Sequence, residues 1–486
     1  VDTLSRSEHP GKIPPKKHLP TCLIFLVFLG FFSSSHVNAA AIKQEIPANA
    51  EFFNTKTRYQ DADPFLRENI LAINVSAVKP PAPACIPIHL TAIIRHGTRF
   101  PTAGNVEKIA ILDKLVKSEA KGDLSYLPEL KAWKNWYTQE TAGHLTAAGR
   151  GDQIHLAKRL VKTFPTLLTK SNLLNKRVKF ITSSVPRCIN STLAFQQGLK
   201  ESLSIPGNLF RFSYNEEFKY TVNDTLMRFF ASCERLLVTV LNNKEAVVQV
   251  TLFEEGPEMS KVHQRLSDQL QIPYANITLG QCDHCHFYLI EVCAYYLCAY
   301  EFSILGLVTP WCKLFDRAEA QVMDYAGDLG LYWKRGYGHE VNYMSSCVLF
   351  HNLFNRLETS INQFKSGQPV SEVVNVQVGH AETLIPLMTL LGLFKGKISL
   401  DANNFAENLH RPFNCSKNVP FAANLMAALW SCPDGFRLQF RVNENPVALP
   451  GLSYSPLYEE VKKLYADLLQ GCNEEEPPKC SLQHPL

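Results

Sequence analysis

The chain has 486 residues, 46% of them hydrophobic and 19% charged, with 49 lysines and arginines against 45 aspartates and glutamates. That apolar content over that length builds a sizeable core and excludes a disordered, collagenous, coiled-coil or multispanning membrane chain. A formal charge of +4 is too weak to attract nucleic acid or a membrane by itself, so any anion must be recognised by a local basic cluster.

Residues 21–32 (TCLIFLVFLGFF) follow Lys12, Lys16, Lys17 and His18 and lead to small side chains at Val37 and Ala39. Twelve residues rise about 18 Å as a helix, short of the ~30 Å hydrocarbon core, so residues 1–39 read as a cleaved signal peptide, not a span. Export makes disulfides the expected state of the fourteen cysteines. Removing Cys22 with the leader leaves an odd number, so at least one lies outside an intrachain pair. Sequons at Asn74, Asn190, Asn223, Asn276 and Asn414 fit a glycoprotein, and the final QHPL is not a KDEL-type retention signal. The expected location is the secretory pathway: extracellular, lysosomal or the lumen of the endoplasmic reticulum.

Residues 40–85 form an expected N-terminal arm that ends in proline-rich AVKPPAPAC, which cannot be helical. Residues 86–94 (IPIHLTAII) are a short β-branched apolar run and predict a buried strand stopping at Arg95, His96 and Gly97. Residues 178–182 (VKFIT) predict a second strand running into SSVPR, which contains Arg187, and then a helix. Residues 373–378 (VVNVQV) predict a third, running into Gly379, His380, Ala381 and Glu382 ahead of an apolar helix. In open α/β sheets, ligands bind at the carboxyl ends of the strands, where the following helices point unpaired N–H groups at anions. Three strand ends carrying basic residues therefore predict one site built from three distant segments. The expected architecture is α/β, a Rossmann-like central sheet flanked by helices over 86–205 and 330–470. Residues 206–329 lack the strand-turn-helix rhythm and read as an inserted, mainly helical domain, with 471–486 a solvated tail.

The first strand end reads RHGTRFP, residues 95–101. Arg95 and Arg99 supply forked donors for phosphoryl oxygens, and a neutral His96 between them can attack phosphorus. Gly97 is expected to let the backbone approach the anion closely. The competing reading is a surface basic loop.

This motif resembles the signature of the histidine acid phosphatase family, RHGxRxP followed far downstream by a histidine and an acid. The downstream partner here is His380-Ala381-Glu382, and with NDTLMRFF (223–230), PWCKLFD (310–316) and YWKRGYG (332–338) it is similar to the family's inositol-polyphosphate-hydrolysing branch. The resemblance runs from about residue 85 to about 450 and implies the histidine phosphatase fold. It implies His96 as nucleophile, Arg95, Arg99, Arg187 and His380 as holders of the phosphoryl oxygens, and Glu382 as proton donor to the leaving oxygen. Against these stand a helix-start surface arginine, a core histidine and a helix-start carboxylate. Lys334 and Arg335 in YWKRGYG are candidate ligands for outer phosphates of a polyphosphorylated ring, or else a solvated basic turn.

Other motifs point elsewhere. Residues 281–300 (QCDHCHFYLIEVCAYYLCAY) depart from the family pattern, and Cys282, Cys285 and His286 spell a c-type haem attachment or, with His284, part of a zinc site. A local disulfide is the plainer reading, and a gene-model error is an alternative. Asp61 and Asp63 resemble the nucleophile pair of magnesium-dependent phosphatases but lack a preceding strand and read as loop. GLFKGK (392–397) is one spacer short of a P-loop. The expected function is hydrolysis of inositol polyphosphates such as phytate through a phosphohistidine, with no metal or cofactor, no nucleic acid partner and no membrane span after cleavage. The alternatives are a phosphatase for other small phosphomonoesters, such as 2,3-bisphosphoglycerate, and a secreted pseudoenzyme that binds polyanions.

Overall fold

The computed structural model describes residues 47, 49–76, 79–205, 218–273, 289–472 and 480–482. The expected leader, the Asn276 sequon and the motif of Cys282, His284, Cys285 and His286 lie outside the described residues. In chain order, the elements that position the site are β1 (Ile86–Arg95), α1 (Ala103–Glu119), α2 (Ala147–Thr163), β2 (Val178–Thr182), α3 (Pro186–Ser202) and β3 (Tyr220–Val222). They continue with α4 (Pro257–Leu270), α5 (Leu289–Leu305), α6 (Arg317–Arg335), α7 (Cys347–Lys365), β4 (Val374–Gly379) and α8 (Ala381–Leu390). The last three are β5 (Asn424–Cys432), β6 (Gly435–Val442) and β7 (Asn445–Val447).

Among the described residues the strands form one sheet in the order β3-β2-β4-β1-β5-β6-β7. The three strands expected from sequence are neighbours in its parallel half, with β4 between β1 and β2. β4 is buried throughout, β1 beyond its first two residues, and β2 except at Lys179, as central parallel strands are. Leu90, Ala92 and Ile94 of β1 pack with Leu156 and Leu160 of α2 and Phe195 and Leu199 of α3. Ile93 faces the opposite layer, which holds α7 and α8. Helix starts follow local chemistry: Thr146 caps α2 by accepting from Gly149 N at 3.0 Å, Pro186 opens α3, and Asp316 forms a capping box with Glu319 on α6.

Several expectations are corrected. Tyr220–Val222, inside the stretch read as a helical insert, is the edge strand β3 on β2. The helices that follow share one apolar cluster with the sheet, from Leu226 and Leu266 through Tyr325 to Ile93 and Leu425. The meander β5–β7 was not foreseen, because Asn424–Trp430 is buried on both faces and shows no alternation. Its turn was visible in CPDGF, where Gly435 has φ of +128°. The tail is not simply solvated: Cys472 pairs with Cys347 and Cys480 with Cys233. Two more disulfides, Cys85–Cys432 and Cys298–Cys312, bring the number among the described residues to four, while Cys188 and Cys415 carry thiols. Among the described residues no helix is long and apolar enough to cross a membrane.

The N-terminal arm is built into the body. Asn54 N donates to Ser416 Oγ at 2.6 Å and its Nδ2 to Asp328 Oδ1 at 2.7 Å, while Phe421 N donates to Thr57 O. Behind it, Arg411 Nη2 lies 2.6 Å from both Asp324 and Asp328, with all three side chains buried. Asn414 donates its side-chain amide to Asp324 at 3.0 Å, so that sequon's nitrogen already has a structural partner. Asp61, read as a loop residue, lies in a helical turn, Tyr59–Ala62, and is ion-paired with Arg58 and Arg67. Replacing Arg411 by alanine strands two buried carboxylates and is expected to lower the unfolding free energy by about 3–5 kcal/mol in urea titrations; a loss below about 1 kcal/mol would show that the network does not anchor the arm.

Candidate active site

Parallel register brings the three strand ends together. Arg95 stands opposite Gly379, and Thr182 opposite Val378, so the residues leaving β1, β4 and β2 emerge side by side. His96 N donates to Gly379 O at 3.0 Å and Ser183 N to Val378 O at 3.0 Å. The turn after β1 is pinned from every side: Gln153 Nε2 donates to Arg95 O, Gly97 N to Ser191 Oγ, and Thr98 to Asp152 through both its backbone N–H and its hydroxyl. A Cβ on Gly97 would lie 2.2 Å from Gly149 O. Gly97 is therefore required by the close approach of α2.

His96 is buried, and its Nδ1–H donates to Gly97 O at 2.9 Å. That bond fixes the tautomer and leaves the Nε2 lone pair available for attack. Burial, followed by Arg95, Arg187, His380 and Arg99, holds the imidazole well below its ordinary pKa, so it stays neutral. His380 is pushed down to about 3, by burial first, with Arg187, Arg228 and Arg95 adding to it against Glu382. Its Nδ1 accepts from Arg187 Nη2 at 3.3 Å and its Nε2–H faces Ser183 Oγ at 3.1 Å. With both ring nitrogens occupied, His380 aligns Arg187 in this conformation.

The arginines are held by neutral groups. Arg95 Nη1 donates to Thr55 O at 2.6 Å and Val419 O at 2.8 Å, with its guanidinium 4.6 Å over the Phe421 ring. Arg99 Nη1 donates to Phe100 O at 2.8 Å and Tyr300 O–H at 3.3 Å. Arg95 Nε, Arg99 Nε and Arg187 Nε are all buried without a hydrogen-bond partner. Buried donors in native proteins are almost always satisfied, and three unsatisfied guanidinium N–H groups around one imidazole make a ready receptor for an oxyanion.

Glu382 occupies the first turn of α8. Burial pushes its carboxyl up, but the positive charge around it, Arg335 and Arg95 included, outweighs that and holds it below the ordinary range. Arg335 belongs to this environment: Glu382 opposes the effect of burial on it, its Nη1 is buried and unpartnered, and it lies 5.2 Å over Phe230, whose ring stacks edge-on to His380. Adjacent residues on a helix diverge by about 100°, and the field of Lys334 falls on Glu254. The sequence reading missed Lys56 of the arm, which feels Arg99, Arg95 and Glu382, and Tyr300 of α5, which meets Arg99. No local signal marks either one, because both arrive through long-range packing. Tyr300 comes from the stretch that departs from the family pattern, and its side chain is fully buried.

Residues 88–445 match the family described as histidine phosphatase superfamily (branch 2). The chain is 38% identical over 432 residues to multiple inositol polyphosphate phosphatase 1 of Gallus gallus, an alignment covering 87% of this chain and 92% of that protein. It is 37% identical over 459 residues to the Homo sapiens protein of the same name, with 89% of each covered. In fold it is similar to the crystal structure of Bifidobacterium longum multiple inositol polyphosphate phosphatase in complex with inositol hexasulfate, at a TM-score of 0.67 and 14% identity, covering 86% of this chain and 98% of that one. It is also similar to the phytase from D. castellii, at a TM-score of 0.66 and 14% identity, covering 92% of each chain.

Nitrogen-detected NMR of imidazole-labelled protein is expected to show His96 as the Nδ1–H tautomer, neutral from pH 8 down to pH 5. A resonance titrating near the ordinary histidine pKa of ~6.5 would mean that the cationic shell does not act on it.

Proposed function

Since the chain belongs to the histidine phosphatase superfamily, branch 2, we propose that it is a histidine acid phosphatase that removes phosphate from inositol polyphosphates through a phosphohistidine. The observation that carries this reading is the set of three buried, unpartnered guanidinium N–H groups around a neutral imidazole whose tautomer is fixed. Such a shell binds a phosphoryl group and stabilises the charge on its equatorial oxygens as the bond to the leaving oxygen breaks.

His96 Nε2 attacks phosphorus, the bond to the ring oxygen breaks, and Glu382 gives that oxygen a proton. Water then attacks the phosphohistidine, Glu382 takes the water's proton, and the P–N bond breaks to release inorganic phosphate and restore the lone pair. Arg95, Arg99 and Arg187 hold the phosphoryl oxygens, with His380 orienting Arg187. Glu382 has to be protonated to act as an acid, yet the free site favours its carboxylate. The substrate supplies the difference: phosphates that neutralise Arg95 and Arg335 remove the charges holding the proton off, so binding itself loads the acid. Arg335 takes an outer phosphate. Residues 206–329 are read as the covering segment, apart from the strand at Tyr220–Val222, and the secretory pathway is the proposed compartment, which four disulfides support.

Release of phosphate from inositol hexakisphosphate in EDTA is expected for the wild type and abolished in His96→Ala. Activity on 2,3-bisphosphoglycerate alone would move the reading to small phosphomonoesters, and polyanion binding without release would move it to a pseudoenzyme. An inositol alkoxide is a far poorer leaving group than p-nitrophenolate. Glu382→Gln should therefore lower turnover of the hexakisphosphate by about 10²–10⁴-fold but that of p-nitrophenyl phosphate by much less. Equal losses would remove Glu382 from the role of acid.

A further inference from the structure

Lys56 is 8% exposed, and its ammonium lies 3.5 Å from the centre of the Tyr296 ring and 6.0 Å from that of Tyr300. Its backbone is fixed from two sides, Ser303 Oγ donating to Lys56 O at 2.6 Å while the neighbouring Thr55 O receives Arg95 Nη1. Among the described residues no carboxylate comes within ion-pair distance of it, in contrast to Arg159 and Arg411, whose buried charges are each matched by acidic partners. The charged groups facing it are Arg95 at the end of β1, Arg99 in the turn beyond, and Glu382 on α8. Glu254 acts on Tyr296 from elsewhere and is not among those that act on Lys56. A buried cation among cations is costly unless an anion arrives to share it.

We propose that Lys56 is a substrate-binding residue: the N-terminal arm carries its ammonium into the arginine cluster, Tyr296 seats it, and a phosphate group of the substrate becomes its counterion. This rests on the reading of the site as one for inositol polyphosphates. It also gives substrate binding a pH dependence of its own, apart from the histidines, which burial and the surrounding cations hold well below their ordinary pKa. In the free protein, burial first and then Arg99 and Arg95 push the ammonium down to about 7, with Glu382 opposing. The charge is therefore present below pH 7 and lost above it, and binding an anion above pH 7 requires a proton to be taken up.

Inositol hexasulfate is the probe, because sulfate esters keep the same charge across this range and any pH dependence belongs to the protein. Titration calorimetry at pH 6 and pH 8 should give a wild-type Kd about tenfold weaker at pH 8, the effect of a group that titrates at about 7 in the free protein and stays charged in the complex. Lys56→Met should bind at least about tenfold more weakly at pH 6 and lose most of the difference between the two pH values, while Lys56→Arg, charged throughout, should bind tightly at both. Glu254→Gln should keep the wild-type slope, and Glu382→Gln should keep the part of it that Lys56→Met loses. Wild-type affinity and slope in a Lys56→Met protein with an unchanged circular dichroism spectrum would overturn the proposal and leave the phosphatase reading standing; a slope lost in Glu382→Gln and kept in Lys56→Met would assign the proton to the catalytic acid. Absence of binding by the wild type at pH 6 would bring down both readings.

Discussion

Everything at this site depends on positive charge that the protein declines to neutralise. Arg95 is held by two backbone carbonyls, Arg99 by a carbonyl and a phenol, and Arg187 by an imidazole. Neutral dipoles fix direction without cancelling charge, so the guanidiniums remain aimed and unspent when a phosphate enters. Had carboxylates held them, an incoming phosphate would first have to displace an ion pair. Glu382 is the carboxylate felt by Lys56, Arg95, Arg187 and Arg335 alike, and it is also the group the reaction needs protonated. One acid therefore tempers the cluster in the free protein and serves the leaving group in the complex.

Such a cluster works against folding, and the surrounding structure shows what holds it together. The strand ends are locked by the parallel register of β1, β4 and β2, the turn after β1 by its contact with α2, and the arm by the network of Asp324, Asp328 and Arg411. Cys85–Cys432 ties the segment entering β1 to the end of its antiparallel neighbour β5. None of these groups touches the reacting atoms. Together they keep like charges close without letting them move apart, which is the preorganisation that electrostatic catalysis requires.

What could be read from sequence follows from what is local. RHGTRFP, SSVPR and GHAE each sit where a strand stops, so a short-range pattern sufficed to gather His96, Arg187, His380 and Glu382 into one expectation. Lys56 could not be found that way, because its place depends on contacts with Ser303 and with neighbours of Asp328 far along the chain. Lys334 and Arg335 look like a pair as letters and are separated by the turn of a helix. Tyr300 was hidden in a segment that seemed foreign to the family. The meander β5–β7 escaped because strands buried on both faces lose the alternation that identifies them, leaving just the CPDGF turn as a trace.

The arm that brings Lys56 also sets when the site can exist. Asn54 docks on Ser416 across 362 residues. At synthesis rates of roughly 5–20 residues per second, the arm waits about 20–70 s for its partner to be made. Arg95 cannot gain its Thr55 and Val419 supports before then, and His96 cannot gain its full cationic shell. During its own biogenesis the chain is therefore a poor receptor for the polyanions it passes, and it becomes a good one in the last steps of folding, once its earliest and latest segments have met.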